Sequence, residues 1–188
     1  MKNISVFDHV SVDGFFAGPN GEIDWFKSIE KDEEFEAHNH ESAKGGSTLV
    51  FGRTTYEMMK SFWPTPEAAK LDPAMAKVMV ESPKIVFSKT LKGVEEEPNW
   101  KNIKLVREID RDEILKLKET SDVTILGSGS IVQQFTNLGL IDSYTLIVVP
   151  VVLGNGKPLF AGVRKTNLKL ELSRAFKNGV IVNRYNAG

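Results

Sequence analysis

The chain contains no cysteine, which excludes disulfide staples, thiolate metal ligands and a cysteine nucleophile, and fits a reducing compartment. It has only three histidines. His38 and His40 stand two apart with no carboxylate–histidine set at ligand spacing, so they read as a solvated helix face rather than a metal site; a Ser-His-Asp triad has weak support. Charge of one sign is also missing. The 24 Lys and Arg against 25 Asp and Glu leave a formal net charge of -1, and their dispersal offers no electrostatic footprint for nucleic acid. The longest apolar run, Tyr144 to Leu153, is too short to span a bilayer and contains Pro150. The first residues, Met1-Lys2-Asn3-Ile4-Ser5, carry no apolar signal segment. The expectation is a cytoplasmic protein with neither membrane nor nucleic-acid partners. No Gly-x-x-x-x-Gly-Lys-Ser/Thr phosphate loop is present. Gly127-x-Gly129-x-x-Val132 lacks the third Rossmann glycine and the acidic residue about twenty positions on.

What is present is enough for a full core. With 188 residues and 41% hydrophobic content, the chain reads as a single domain over residues 1–188. Ile4 to Val12 is a strand closed by Asp13-Gly14, and Gly18-Pro19-Asn20-Gly21 is a second turn soon after. Asp24 to Ser42 is acidic and helical in pattern, with Trp25, Phe26, Ile29 and Phe35 available to the core. Ser47–Phe51 and Lys84–Phe87 are short buried strands. Asp72-Pro73 is an N-cap followed by proline, opening a helix to Val80. Lys89 to Asn102 is a loop. Ile103–Val106 is a strand, and Asp110 with Glu113 starts a helix to Lys118. Tyr144–Leu153 is a long strand whose Pro150 argues for an edge or a bulge. Asn178-Gly179 reads as a terminal hairpin turn. Strands alternate with helices to about residue 140 and then follow one another. This predicts an α/β fold with a largely parallel central sheet and an antiparallel C-terminal finish.

The most informative stretch is Thr124-Ile125-Leu126-Gly127-Ser128-Gly129-Ser130-Ile131-Val132-Gln133, a strand passing through a glycine turn into a helix. Ile131, Phe135 and Leu138 have helical spacing, Ser130 is the expected N-cap, and Gly139 the stop. Such a joint is either an ordinary connection or an anion site, because the first N–H groups of a helix are free donors at its positive end. Gly52-Arg53-Thr54-Thr55 and Ser88-Lys89-Thr90 follow strands in the same way. Small residues, hydroxyls and cations thus collect past three strand ends, the edge where open α/β sheets bind ligands. Taken singly, Arg53 is equally a solvated first-turn residue, Lys89 an exposed loop lysine, and Thr54 a capping-box residue with Glu57. Together they suit a ligand with more than one phosphate.

The order and spacing of these segments resemble the dihydrofolate-reductase-like superfamily. The likeness is to the branch of the reductase domain of the bifunctional riboflavin-biosynthesis deaminase–reductase. It runs through Ser11-Val12-Asp13-Gly14-Phe15-Phe16-Ala17-Gly18, Asp24-Trp25, Val50 to Glu57, Val86 to Thr90, Gly127 to Ser130 and Pro150 to Phe160. The resemblance implies a three-layer dihydrofolate-reductase-like fold with NADPH as hydride donor. It implies pyrophosphate at Gly127, Ser128, Gly129, Ser130, Ile131 and Val132, and at the helix start formed by Gly52, Arg53 and Thr54. It sets the adenosine 2′-phosphate near Arg53, Ser88 and Lys89, and the nicotinamide near Ala17 and Gly18. A small heterocyclic substrate, resembling a ribosylated aminouracil or a pterin, and a homodimer are implied as well. The chain departs from the bifunctional enzyme in having no deaminase domain or zinc set.

Catalysis is less sharply marked. Glu22 stands three residues before Trp25, as the pterin-facing carboxylate does in some dihydrofolate reductases. Glu22 and Asp24 are therefore read either as proton-relay candidates or as helix-capping carboxylates. Asp13 reads as a turn residue and Gly154-Asn155-Gly156 as a loop. Lys157 and Arg164 are candidate anion-binding groups. Dihydrofolate reduction, or nucleotide binding without turnover, are the alternatives to a riboflavin-type reduction.

Overall fold

The computed structural model describes residues 2–43 and 46–188. Its strands are β1 (Ile4–Ser11), β2 (Phe15–Ala17), β3 (Thr48–Gly52), β4 (Lys84–Phe87), β5 (Ile103–Val106), β6 (Val123–Leu126), β7 (Ser143–Val149), β8 (Lys157–Pro158), β9 (Leu168–Ala175) and β10 (Ile181–Ala187). Its helices are α1 (Glu33–Ala43), α2 (Arg53–Phe62), α3 (Pro66–Leu71), α4 (Pro73–Glu81), α5 (Arg111–Thr120) and α6 (Gly129–Asn137), preceded by a 3-10 turn over Asp24–Ser28.

One eight-stranded sheet has the order β5-β4-β3-β6-β1-β7-β10-β9, and β2 pairs with β8 in a small second sheet. β5 through β7 are mutually parallel, while β10 runs antiparallel to both β7 and β9. This is the largely parallel sheet with an antiparallel finish that the alternation of elements predicts. The chain steps outward from β1 to β3, β4 and β5, then returns to insert β6 between β3 and β1. Right-handed crossovers in opposite directions set α1, α2 and α4 on one face and α5 and α6 on the other. Packing agrees with this: Ile114, Ile131, Val132 and Phe135 lie with Ile4, Val6 and Val10. On the opposite face Tyr56 and Met79 meet Leu49, Phe51 and Val86, and Phe35 meets Ile147 and Val182. Among the described residues, no helix is long and apolar enough to cross a membrane.

Four local features differ from expectation. The helical pattern from Asp24 to Ser42 breaks at Ile29, which is extended. Asp32 then restarts the helix by accepting from the N–H groups of Glu34 and Phe35. The Tyr144–Leu153 strand ends at Val149, because Pro150 has no N–H for the ladder, and it lies inside the sheet between β1 and β10. Helix α3, unforeseen, uses the same cap-then-proline device as α4: Thr65 accepts from the N–H of Ala68 ahead of Pro66. His40 is no solvated helix residue either; its Nε2 lies 2.9 Å from Asp72 Oδ2 and ties α1 to the cap of α4.

Candidate functional site

The strand order brings β4, β3 and β6 side by side, so the three strand ends that the sequence singles out are contiguous. Gly52 pairs with Phe87, and Val50 with Ile125. Above β6 the sheet opens. The last β1–β6 pair is Phe7 with Leu126, after which β1 continues to Ser11 paired with β7 alone. A crevice therefore lies between the upper part of β1 and the β3–α2 junction, floored by the turn after β6.

That turn is built around Ser128. Gly127 and Ser128 both have left-handed backbone, at φ 64° and φ 62°, which is costly for serine. The hydroxyl of Ser128 accepts from the N–H of Gly52 at 2.8 Å and lies 2.7 Å from Thr55 Oγ1. These bonds join the ends of β3 and β6, and they explain why neither expected cap serves. Ser128, not Ser130, is the N-cap residue of α6, and Gly52, not Thr54, is that of α2; neither helix has a side-chain cap. Thr54 and Ser130 are instead exposed second residues of their helices. Asp32, Thr65, Asp72 and Asp110 do cap α1, α3, α4 and α5. The uncapped helix starts are thus the two that face the crevice. Ile131 and Val132 give their N–H groups to the Ser128 carbonyl at 2.8 and 3.2 Å and turn their side chains into the core. Gly129 is packed so closely that a β-carbon would lie 2.6 Å from Phe16 Cε1, tying β2 to the helix start.

Beside this, Arg53 is exposed and its Nη1 donates to Thr90 Oγ1 at 3.3 Å. The hydroxyl of the buried Ser88 accepts from the N–H groups of Thr90 and Leu91. Arg107 braces the same turn by donating to the carbonyls of Ser88, Leu91 and Lys92. Sequence reasoning missed Arg107, whose only local mark is a position just past a strand end, and it named Thr55 only as part of the Gly52–Thr55 segment, without a role of its own. Lys89 is exposed and 3.5 Å from Glu108. Arg53, Tyr56, Lys60, Thr90 and Lys92 line a groove of about 530 Å³ here.

At the other end of the crevice, Ala17 and Gly18 are buried at the exit of β2. The backbone of Gly18 is bonded to the carbonyl of Glu22 at 2.8 Å. Glu22 is exposed, and its carboxylate accepts from the N–H and the Nδ2 of Asn20 at 2.9 and 2.6 Å; these bonds hold it below the usual carboxylate range. Asp24 is exposed in the first turn of the 3-10 helix. Asp13 does more than make a turn. It accepts from Ser11 Oγ and from the N–H groups of Leu153 and Gly154. The Gly154–Gly156 loop is thereby drawn over β2, where a β-carbon on Gly156 would lie 2.5 Å from the carbonyl oxygen of Ala17. Lys157 reaches the Gly21 turn. Arg164 is remote, bonded to Asn137 at the far end of α6.

Asp8 lies on β1 level with the Gly127 turn, its side chain on the α6 face. It is 7% exposed, and its Oδ2 has no partner among the described residues. The elements around it, β2, β6 and α6, carry no ionisable residue, and Tyr144 of β7 gives its hydroxyl to Thr136. Burial pushes the Asp8 carboxyl up to about 7. An acid whose pKa is higher folded than unfolded stabilises most below its unfolded value, and that advantage is lost as pH rises through the folded value. Asp8→Asn is therefore expected to gain roughly 1–3 kcal/mol relative to wild type between pH 4 and pH 8. Urea unfolding of both proteins at pH 4, 6 and 8 measures this; a difference independent of pH would show that Asp8 ionises normally.

A family model described as the RibD C-terminal domain matches residues 3–182. The Bacillus subtilis protein YyaP, itself uncharacterized, is 32% identical over 173 residues, covering 92% of this chain and 88% of YyaP. A putative riboflavin biosynthesis protein from Shewanella sp. PV-4 superposes with a TM-score of 0.76 at 25% identity, covering 99% of each chain. A Thermotoga maritima diaminohydroxyphosphoribosylaminopyrimidine deaminase/5-amino-6-(5-phosphoribosylamino)uracil reductase shares the fold at 17% identity with a TM-score of 0.64. All of this chain matches 57% of that protein.

Proposed function

The chain belongs to the RibD C-terminal domain family, and from that premise we propose that it is an NADPH-dependent oxidoreductase acting on a pyrimidine- or pterin-like heterocycle. The observation that carries the reading is the pair of uncapped helix starts, α2 and α6, at contiguous strand ends. The N–H groups of Arg53, Thr54, Gly129 and Ser130 would hold the pyrophosphate, since anions bind where helix N–H groups are left open. Arg53, with Lys89 and the Ser88 turn, would take the 2′-phosphate. The unpaired edge of β1 above Phe7, close to Ala17 and Gly18, suits the nicotinamide end.

When bound, NADPH supplies a hydride to an electrophilic substrate carbon, and a proton from water completes the reduction. The residues of the chain do the rest. Ser128 and Thr55 keep the two helix starts in register, and Asp13 holds the Gly154–Gly156 loop against Ala17 to limit water at the reacting end. Glu22, ionised at neutral pH and fixed by Asn20, would accept a hydrogen bond from the heterocycle rather than donate a proton; Asp24 stands beside it as the second candidate. We also expect a second copy of the chain to cover the α6-side face of β9 and β10, where Leu168, Leu170 and Ile181 are exposed.

Fluorescence titration with NADPH and NADH tests the proposal. Wild type should bind NADPH at least tenfold more tightly than NADH. Arg53→Ala should lose most of that preference while changing NADH affinity less than threefold. Binding of neither nucleotide would end the reductase reading.

A further inference from the structure

Cofactor binding does not account for the imidazole of His9. His9 lies on β1 two residues past the last β1–β6 pair, abreast of Ile147 of β7. Its side chain is on the α1 face, with Phe7 and Ser11, because strand residues alternate. The ring lies 4.7 Å from that of Phe26 and 6.0 Å from that of Phe7. Phe26 in turn packs edge-on against Trp25 at 4.2 Å.

This aromatic cluster has unmet polar capacity. Neither ring nitrogen of His9 makes a hydrogen bond among the described residues, and the indole N–H of Trp25 is buried without an acceptor. A histidine kept only for packing would normally find a partner, since a desolvated polar group without one costs free energy. His9 is half-buried rather than sealed.

We propose that His9 selects the substrate heterocycle, its imidazole hydrogen-bonding the polar edge of a planar ring seated against Phe26. The proposal rests on the reductase reading and names its specificity-determining residue. Burial pushes the His9 pKa down to about 4, which leaves a neutral ring with one donor and one acceptor at physiological pH. One of these nitrogens can meet either an N–H or a C=O on the edge of a uracil or a pterin, and the neutral ring offers no charge to an anionic group. A site that hydrogen-bonds its ligand discriminates strongly, because the wrong ligand leaves buried polar groups unpaired.

The test has two stages. NADPH affinity is measured first for wild type and for His9→Phe, which keeps the aromatic stacking; the two should agree within twofold. The NADP+ complexes are then titrated with 6-aminouracil and with dihydrofolate, following the imidazole nitrogen resonances. The resonances missing from the His9→Phe spectrum belong to His9. They should shift on saturation with at least one probe, and His9→Phe should bind that probe at least tenfold more weakly. Should His9→Phe misfold by circular dichroism, His9→Gln takes its place with the same expectation. Probe binding with the His9 resonances unmoved, unchanged affinity in the variant, or no binding of either probe to the wild-type complex each overturns the proposal. Failure of the reductase reading is distinguishable, because it shows in the first stage as absence of NADPH binding to wild type.

Discussion

Gly52→Val is expected to abolish NADPH binding and to lower stability by about 3 kcal/mol, the range of overpacked sites that also lose a buried hydrogen bond. The constraint at Gly52 is space, not backbone conformation, for its φ of -86° suits any residue. A β-carbon there would lie 2.6 Å from Ser128 Oγ and 2.9 Å from Ser128 Cβ. Ser128 cannot swing aside without giving up Gly52 N–H and Thr55 Oγ1. The added side chain must instead push the β6 turn away from β3, which parts the starts of α2 and α6. Chemical denaturation and nucleotide titration measure the two effects. The mechanism is tested by pairing the milder Gly52→Ala with Ser128→Gly, which removes the obstructing side chain and relaxes the left-handed turn. The double variant should be more stable than the sum of the single changes by at least about 1 kcal/mol, as expected for residues in contact. Simple additivity would mean that the two strand ends are not coupled through Ser128.

At the opposite end of the sheet, Lys84→Ala should cost about 3–5 kcal/mol without altering nucleotide affinity of the folded protein. Lys84 is 1% exposed. Its Nζ donates to the carbonyls of Val80, Ser82 and Lys101 at 2.9, 2.7 and 3.2 Å, and it lies 4.5 Å from the centre of the Trp100 ring. Two of these carbonyls close α4, where a cation is favoured by the helix dipole. Truncation leaves three acceptors without a donor and a void beneath the fully buried Trp100, and each of these is among the costlier single changes. Lys84→Met fills the void but not the acceptors, so it should lose less.

The same lysine gives a pH signature. Burial lowers its pKa from 10.5 to about 8. Between those values the folded lysine has released its proton while the unfolded one retains it, so wild type should gain stability relative to Lys84→Met as pH rises from 8 to 10.5. Denaturation midpoints that run parallel across this window would show that Lys84 titrates normally when folded.

Much of the scaffold was legible because it is encoded within a few residues. Asp72-Pro73 and Asp110 are caps where expected, Gly139 stops α6 with a left-handed φ of 65°, and Asn178-Gly179 turns the last hairpin. Strand and helix periods gave the α/β class, and three strand ends with small or charged residues pointed to one edge of the sheet. Where local reasoning went astray, a distant partner had intervened. Ser130 and Thr54 have good capping chemistry, yet the cap positions fell to Ser128 and Gly52, 76 residues apart and bonded to each other. Thr55 and Arg107 gained their roles from neighbours that strand order alone supplied.

The sequence by itself determined the elements, the class of fold and the glycine turns, because turns, caps and periodicity are local properties of the backbone and its nearest side chains. Only the tertiary structure decided that β4, β3 and β6 are neighbours, that α2 and α6 start uncapped, and that Asp8 Oδ2 and the His9 ring are left without partners among the described residues, on opposite faces of β1. Strand order and burial come from contacts between residues far apart in the chain, and the ionisation and pairing of a side chain follow from that burial.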